Sequence, residues 1–384
     1  MDVLEVGLDY IPTWSSPLPA CLLCGNVIRS ALQCAPLKSF QKAIGRQLKR
    51  NSEQDQVLVP AKEVEEQYLV NFPWLSACTF RAIASDTDGR FHLTGICIAD
   101  YLGNPNNFAV VPKDSSMARI GARGGETVVL PRILSHDPAF TLFRLRASSD
   151  VAPEEQTSSG IGYLLHAHCW VLLGRRICEP IHIEMVSLDL NHLVHAAKSL
   201  RGVPSTWWYE RGYAPLSNPL IIPRIHNAIS LAERTITRTR GAKTSALRLI
   251  QSTQSVPSTH PMNTLPLDIA TMIAELVCPP IYNEWQAMTL RNLLSVFDWV
   301  LPECFWRRRI DENAFFELQD IQKSNTDTHV DWQVLRLELM QLQGYRLKHH
   351  CGLELRKYVL KNLREVMSAY AKSKVEESSL NSDS

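Results

Sequence analysis

The sequence predicts an α+β protein, and three observations carry that expectation. Short apolar runs broken by turn residues fill residues 66–150, helical periodicity runs from Thr264 to about Ala371, and a Thr-, Ser- and Arg-rich stretch at 233–262 lies between them. The β-rich part consists of FPWLSACTFRAIA, DTDGRFHLTGICIADYL, NPNNFAVVP and GARGGETVVLPRIL, each a few apolar residues bounded by Gly, Pro, Asn or Asp. The polar stretch SSDVAPEEQTSSG ends it. GYLLHAHCWVLLGRRI then reads as a buried helix, and Met185, Leu188, Leu190, Leu193, Val194, Ala197 and Leu200 mark the inner face of another, before RGVPSTWWYERGY closes an α+β region over 66–232. Few large apolar residues follow Ile250, so 233–262 is expected to be a flexible linker.

Helical spacing dominates the rest. In NTLPLDIATMIAEL, Pro266 suits a helix start, Asp268 suits its positive end, and Leu265, Ile269, Met272, Ile273 and Leu276 recur at intervals of three and four until Pro279-Pro280. A second stripe, Trp285, Met288, Leu293, Val296, Phe297 and Val300, runs to Pro302. DWQVLRLELMQLQGYRL and GLELRKYVLKNLREVMSAY place Trp332, Leu335, Leu339 and Leu342, then Leu353, Leu355, Val359, Leu363 and Val366, on inner faces. The expected division is an N-terminal segment over 1–65, the α+β region, the linker, a helical module over 263–310, further helices over 311–373, and a disordered tail over 374–384, where apolar content fails. Periodicity does not say what covers the stripe of the opening helix. A core helix and a docking helix share that pattern.

With 384 residues, 45% hydrophobic and 21% charged, the chain can bury a substantial core. Forty basic and 39 acidic residues leave a formal charge of +1, so no global field points to nucleic acid or an anionic membrane. The first residues lack a basic and then apolar leader, and no run approaches the roughly 20 apolar residues that cross a bilayer. Ten scattered cysteines then suggest reduced thiols in the cytoplasm, the nucleus or both.

The order Leu265-Pro266, helix, break, helix with Leu290, Leu293 and Val296, then Trp299 and Phe305-Trp306-Arg307 resembles an F-box over about 45 residues. That resemblance implies a three-helix module that docks onto the Skp adaptor of SCF-type ubiquitin ligases. Leu265, Pro266, Ile269, Ile273 and Leu276 occupy the matching positions of its first helix, and Leu293, Val296, Trp299 and Trp306 the later ones. Two departures from the family pattern are the longer connection holding Cys278-Pro279-Pro280 and Asp298 before the tryptophan. More broadly, the chain resembles fungal proteins that carry an F-box or F-box-like segment beside a helical and β-rich region. His166-Ala167-His168-Cys169-Trp170, TWWYERGY and DWQVLRLELM carry that likeness, as packing residues. The implied function is a substrate receptor, with a Skp-type adaptor and cullin complex as partners and an unknown protein client. The alternative is a structural or interaction protein whose F-box-like helices pack internally.

Catalytic chemistry is not expected, and no cofactor is implied. Cys21 and Cys24 have a spacing that lets two thiolates reach one zinc, but no second pair follows. Cys34 and His92 could complete a site if folding brings them near. His166 and His168 are two apart and would not share a helical face, so the expectation is no metal, with Cys21 and Cys24 the weak candidates. Cys169 lacks an orienting acid and an oxyanion loop, which favours a packed thiol over a nucleophile. GARGG lacks the lysine and hydroxyl of a phosphate loop. Arg307, Arg308 and Arg309 suit a helical C-terminal end or an import signal.

Overall fold

Eight strands gather the apolar runs between residues 56 and 166 into one mixed sheet, in a computed structural model that describes residues 20–28, 56–71, 73–86, 88–98, 108–122, 139–145, 161–200, 218–234, 265–297, 299–311, 313–323, 330–344 and 351–382. The strands are β1 (Gln56–Pro60), β2 (Thr79–Ser85), β3 (Phe91–Leu93), β4 (Ile96–Ile98), β5 (Phe108–Pro112), β6 (Met117–Ala122), β7 (Phe140–Leu145) and β8 (Ile161–His166). Their order is β1-β6-β4-β2-β8-β7-β5, with β3 also paired to β2. The β4–β6 and β7–β8 pairs are parallel and the others antiparallel. The α+β class expected from the sequence is therefore the class of the fold.

The first five residues of GYLLHAHCWVLLGRRI belong to a strand, which corrects the expectation of a helix throughout. β8 lies between β2 and β7, with Phe80 opposite His166 and Ile83 opposite Tyr163. Its residues 162–166 are buried on both faces, and a strand buried on both faces loses the alternation that separates it from a helix. Helix α1 (Ala167–Leu172) begins straight after His166 and widens into a π-helical turn over Leu173–Cys178. Helix α2 (Leu190–Ser199) starts on Asp189, whose carboxylate accepts from the amides of Asn191 and His192. Where β4 begins, a Cβ on Gly95 would stand 2.4 Å from the carbonyl of Met117, so the close approach there requires glycine.

The chain divides into two compact units, Met1–Asn218 with Tyr358–Ser384, and Pro219–Lys357. The first holds the sheet, α1 and α2. The second is helical: residues 223–234 form α3, followed by α4 (Leu267–Val277), α5 (Glu284–Phe297), α6 (Glu303–Arg307), α7 (Glu317–Lys323) and α8 (Trp332–Gly344). Helix α9 (Cys351–Ser382) gives its first residues to the second unit and the rest to the first. The boundary at Asn218 precedes the one expected after residue 232, because Ile225, Ala228 and Ala232 of α3 belong to the helical core. The expected linker at 233–262 lies, from 235 on, outside the described residues.

Arg356, at the start of α9, is fully buried with all of its donors used. It forms a fork onto both carboxylate oxygens of Glu317 at 2.8 and 2.9 Å and donates to the carbonyls of Pro219, Leu220 and Ala314. Its guanidinium also lies over Phe316. This one side chain fixes three segments of the helical unit. At its other end α9 continues through residues 374–382, correcting the expected disordered tail. AKSKVEESSLNS contains no Gly or Pro to stop the helix, and Glu377 pairs with Nε2 of His192 at 2.9 Å. Among the described residues, no helix is long and apolar enough to cross a membrane.

Candidate functional site

In the segment from Leu265 to Arg307, α4 buries small side chains and both α4 and α5 leave large apolar ones exposed. Pro266 caps α4, its carbonyl accepting from the amide of Ala270 at 3.0 Å. Asn283 and Gln286 cap α5 reciprocally, each amide donating to the other's side-chain oxygen at 2.9 and 3.0 Å. On α4 the fully buried residues are Ala270 and Ala274. Ile269, Met272 and Leu276, at spacings of three and four, share the opposite side, where Leu276 is 82% exposed. On α5, Ala287, Leu290 and Leu294 are buried. Trp285, Met288 and Val296 face the other way, with Trp285 76% exposed. Two short, capped helices thus each carry an uncovered apolar stripe.

The nine residues expected to bind an adaptor fall into three groups. Pro266, Ile269, Leu276 and Val296 are exposed. Leu265, Ile273 and Leu293 are partly buried against the helical core. Trp299 and Trp306 are buried at 5% and 1%, which corrects their assignment to the binding surface. The indole N–H of Trp306 donates to the carbonyl of Leu301, and its ring meets Phe305 edge-on, so its work is packing. Met272, Trp285 and Met288 were legible as stripe residues, while periodicity left open which way the stripes face; all three are exposed. Arg309, from the basic run, is buried as well, donating to the carbonyls of Cys278 and Phe305 and lying 3.6 Å from the Phe305 ring centre.

A second constellation lies in the sheet unit. Ala20 and Val27 pair across a tight loop in which the amide of Cys21 donates to the carbonyl of Asn26, and that of Gly25 to the carbonyl of Cys21. Gly25 has φ +74°, the left-handed conformation that glycine enters without strain. The amide of Leu22 donates to the carbonyl of Leu164 at 2.7 Å, which sets this loop against the end of β8. There the loop meets His166, the last residue of β8, and Cys169, in the first turn of α1. The ligand atoms of Cys21, Cys24, His166 and Cys169 all lie within 4.8 Å of one another, and all four residues are buried. Nδ1 of His166 is 3.4 Å from Sγ of Cys24, and the backbone amide of His166 donates to Sγ of Cys21 at 3.3 Å.

This grouping overturns the expectation that the Cys21-Cys24 pair lacks partners. The residues that join the pair are His166 and Cys169 rather than His92, which sits on β3, and Cys34 lies outside the described residues. His168 stacks on His166 but turns its Nδ1 to the carbonyl of Ser76 at 2.9 Å. The helical-face argument failed because His166 ends a strand rather than occupying a helix.

The electrostatics follow from the crowding. Burial disfavours a charged His166, yet the sulfurs of Cys24 and Cys21 against it outweigh that and raise its pKa to about 10. Burial also opposes a Cys21 thiolate, while hydrogen bonds from Cys169 and Cys24 and the charge of His166 hold that thiol well below its usual range. Cys169 is pushed up by burial and by its two cysteine neighbours, and burial beside His166 lowers His168 to about 3. The four groups therefore bias one another's protonation within a buried cluster. Compared with family models, curated proteins and solved structures, the chain matches none.

Proposed function

We propose that the chain is an F-box-like substrate receptor of an SCF-type ubiquitin ligase, binding a Skp-type adaptor through the outward faces of α4 and α5. The observation that supports this reading is the inversion on α4, where Ala270 and Ala274 are buried while Ile269, Met272 and Leu276 are exposed. A helix that served only the chain's own core would bury its large side chains, each worth about 1.5–3 kcal/mol. That argument disfavours the alternative in which the helices pack internally, because Trp299 and Trp306 already fill the interior of the segment. The remainder of the chain would hold a protein client, so that the ligase acts at a raised local concentration of acceptor lysines. Apolar anchors on two neighbouring helices suit a partner that offers a helical groove.

The test is binding of the purified full chain to a purified Skp-type adaptor, followed by hydrogen exchange. The expected result is a complex that survives gel filtration, with exchange slowed over Leu267–Val277 and Glu284–Phe297. No complex at a protein concentration of about 10 μM, well above the 1 μM dissociation constant that corresponds to about −8.2 kcal/mol, would contradict the reading.

A further inference from the structure

We propose that Cys21, Cys24, His166 and Cys169 bind a single zinc ion as a structural centre, which ties the N-terminal loop to the junction of β8 and α1. The donor set is three sulfurs and one imidazole nitrogen, one of the ligand sets of structural zinc. With Zn–S near 2.3 Å and Zn–N near 2.0–2.1 Å, the edges of a tetrahedron are about 3.5–3.8 Å. The 3.4 Å separation of Cys24 Sγ from His166 Nδ1 is close to such an edge, and a spread of at most 4.8 Å needs a contraction of about 1 Å to close around one ion.

The backbone around the pair supports the same reading. A C-x-x-C-G loop with glycine in the left-handed region turns both thiols to one side, and its Cys21 sulfur already accepts the His166 amide. Such N–H donors around a thiolate spread its charge and orient it, as outer-shell partners of metal ligands do. The second pair, His166 and Cys169, comes from a strand end and the first helical turn after it. That placement gives two ligands from a loop, one from the end of β8 and one from the start of α1, so the ion cross-links segments more than 140 residues apart in sequence.

Burial and ligand count assign the role. A catalytic zinc keeps a coordination position open to substrate, whereas here four protein ligands fill a tetrahedron in the interior. Several ionisable groups buried together are costly unless neutralised, and a dication facing thiolates supplies that neutralisation. A two-iron cluster divides its four ligands between two metal ions, and ligand atoms this close leave room for one. Among single ions, a tetrahedral set of thiolates and imidazole selects zinc.

The full chain, purified without chelator, is expected to contain one zinc per molecule by elemental analysis, with an X-ray absorption shell of three sulfurs and one nitrogen. Cys169→Ser should lose most of that metal, and Cys304→Ser, which removes an exposed cysteine that is not one of the four ligands, should keep it. If Cys169→Ser does not fold, the wild-type protein still decides. Cobalt added to metal-depleted wild type should give the strong visible bands of a tetrahedral thiolate site. Wild type that takes up no zinc or cobalt, a disulfide within Cys21, Cys24 and Cys169 in freshly purified protein, or a shell rich in oxygen would each overturn the proposal.

Discussion

The thiol cluster and the outward faces of α4 and α5 reverse the ordinary rule of burial in opposite directions. In the first, four groups capable of charge are buried. In the second, large apolar residues such as Leu276 and Trp285 are left in solvent. Each arrangement costs stability by itself, the first through desolvation and the second through apolar area left uncovered. The comparison teaches that the missing compensation in each place has a different nature. In the proposed readings, a cation would satisfy the buried donors and an apolar partner would cover the exposed stripes.

The largest effect that would separate the two regions is metal withdrawal. Apparent zinc-binding energies of structural sites are about 10–16 kcal/mol at neutral pH, so a strong chelator should loosen the sheet unit while leaving the helical unit intact. Hydrogen exchange should rise around Ala20–Val27 and Ile161–Leu172 and stay unchanged in α4 and α5. Equal loosening of both units would erase the distinction. A smaller effect contrasts the inside and outside of the helical unit. Trp306→Ala should cost about 3–5 kcal/mol, since it empties a fully packed site, while Leu276→Ala should stay within about 0.5 kcal/mol. Denaturant melts of the two variants measure this, and a costly Leu276→Ala would mean that the stripe is covered.

How far these regions could be read in the sequence follows from the distance over which each is assembled. The stripes of α4 and α5 lie within contiguous segments, so their spacing was legible, and Pro266 marked the start of the first. What the spacing could not show was direction. Ala270 and Ala274 read as neutral filler, yet they are the inward residues, because close helix packing favours small side chains where backbones approach. The reciprocal cap of Asn283 and Gln286 was present in YNEWQ as a polar residue followed three later by Gln, a signal local enough to be read. The metal-capable cluster was half legible. Cys21 and Cys24 stood out, while His166 and Cys169 could be joined to them only by knowing that β8 ends at His166 and runs beside the loop. A continuous apolar run hid that strand as a helix. The buried fork of Arg356 and Glu317 carried no local signal, since the two residues meet only through the fold.

The most direct test of the docking face is the double substitution Ile269→Asp with Leu276→Asp, read by adaptor binding and thermal melting together. Both side chains are exposed, so aspartate at each should leave the melt nearly unchanged, and Asp at 269 sits in the first turn, where the helix dipole tolerates it. Interface energy concentrates in a few apolar anchors, so the same change should abolish adaptor capture. Lost capture with an unchanged melt is the predicted result. A double variant that melts early, together with a wild-type chain that captures no adaptor, would contradict it and return NTLPLDIATMIAEL to the chain's own core.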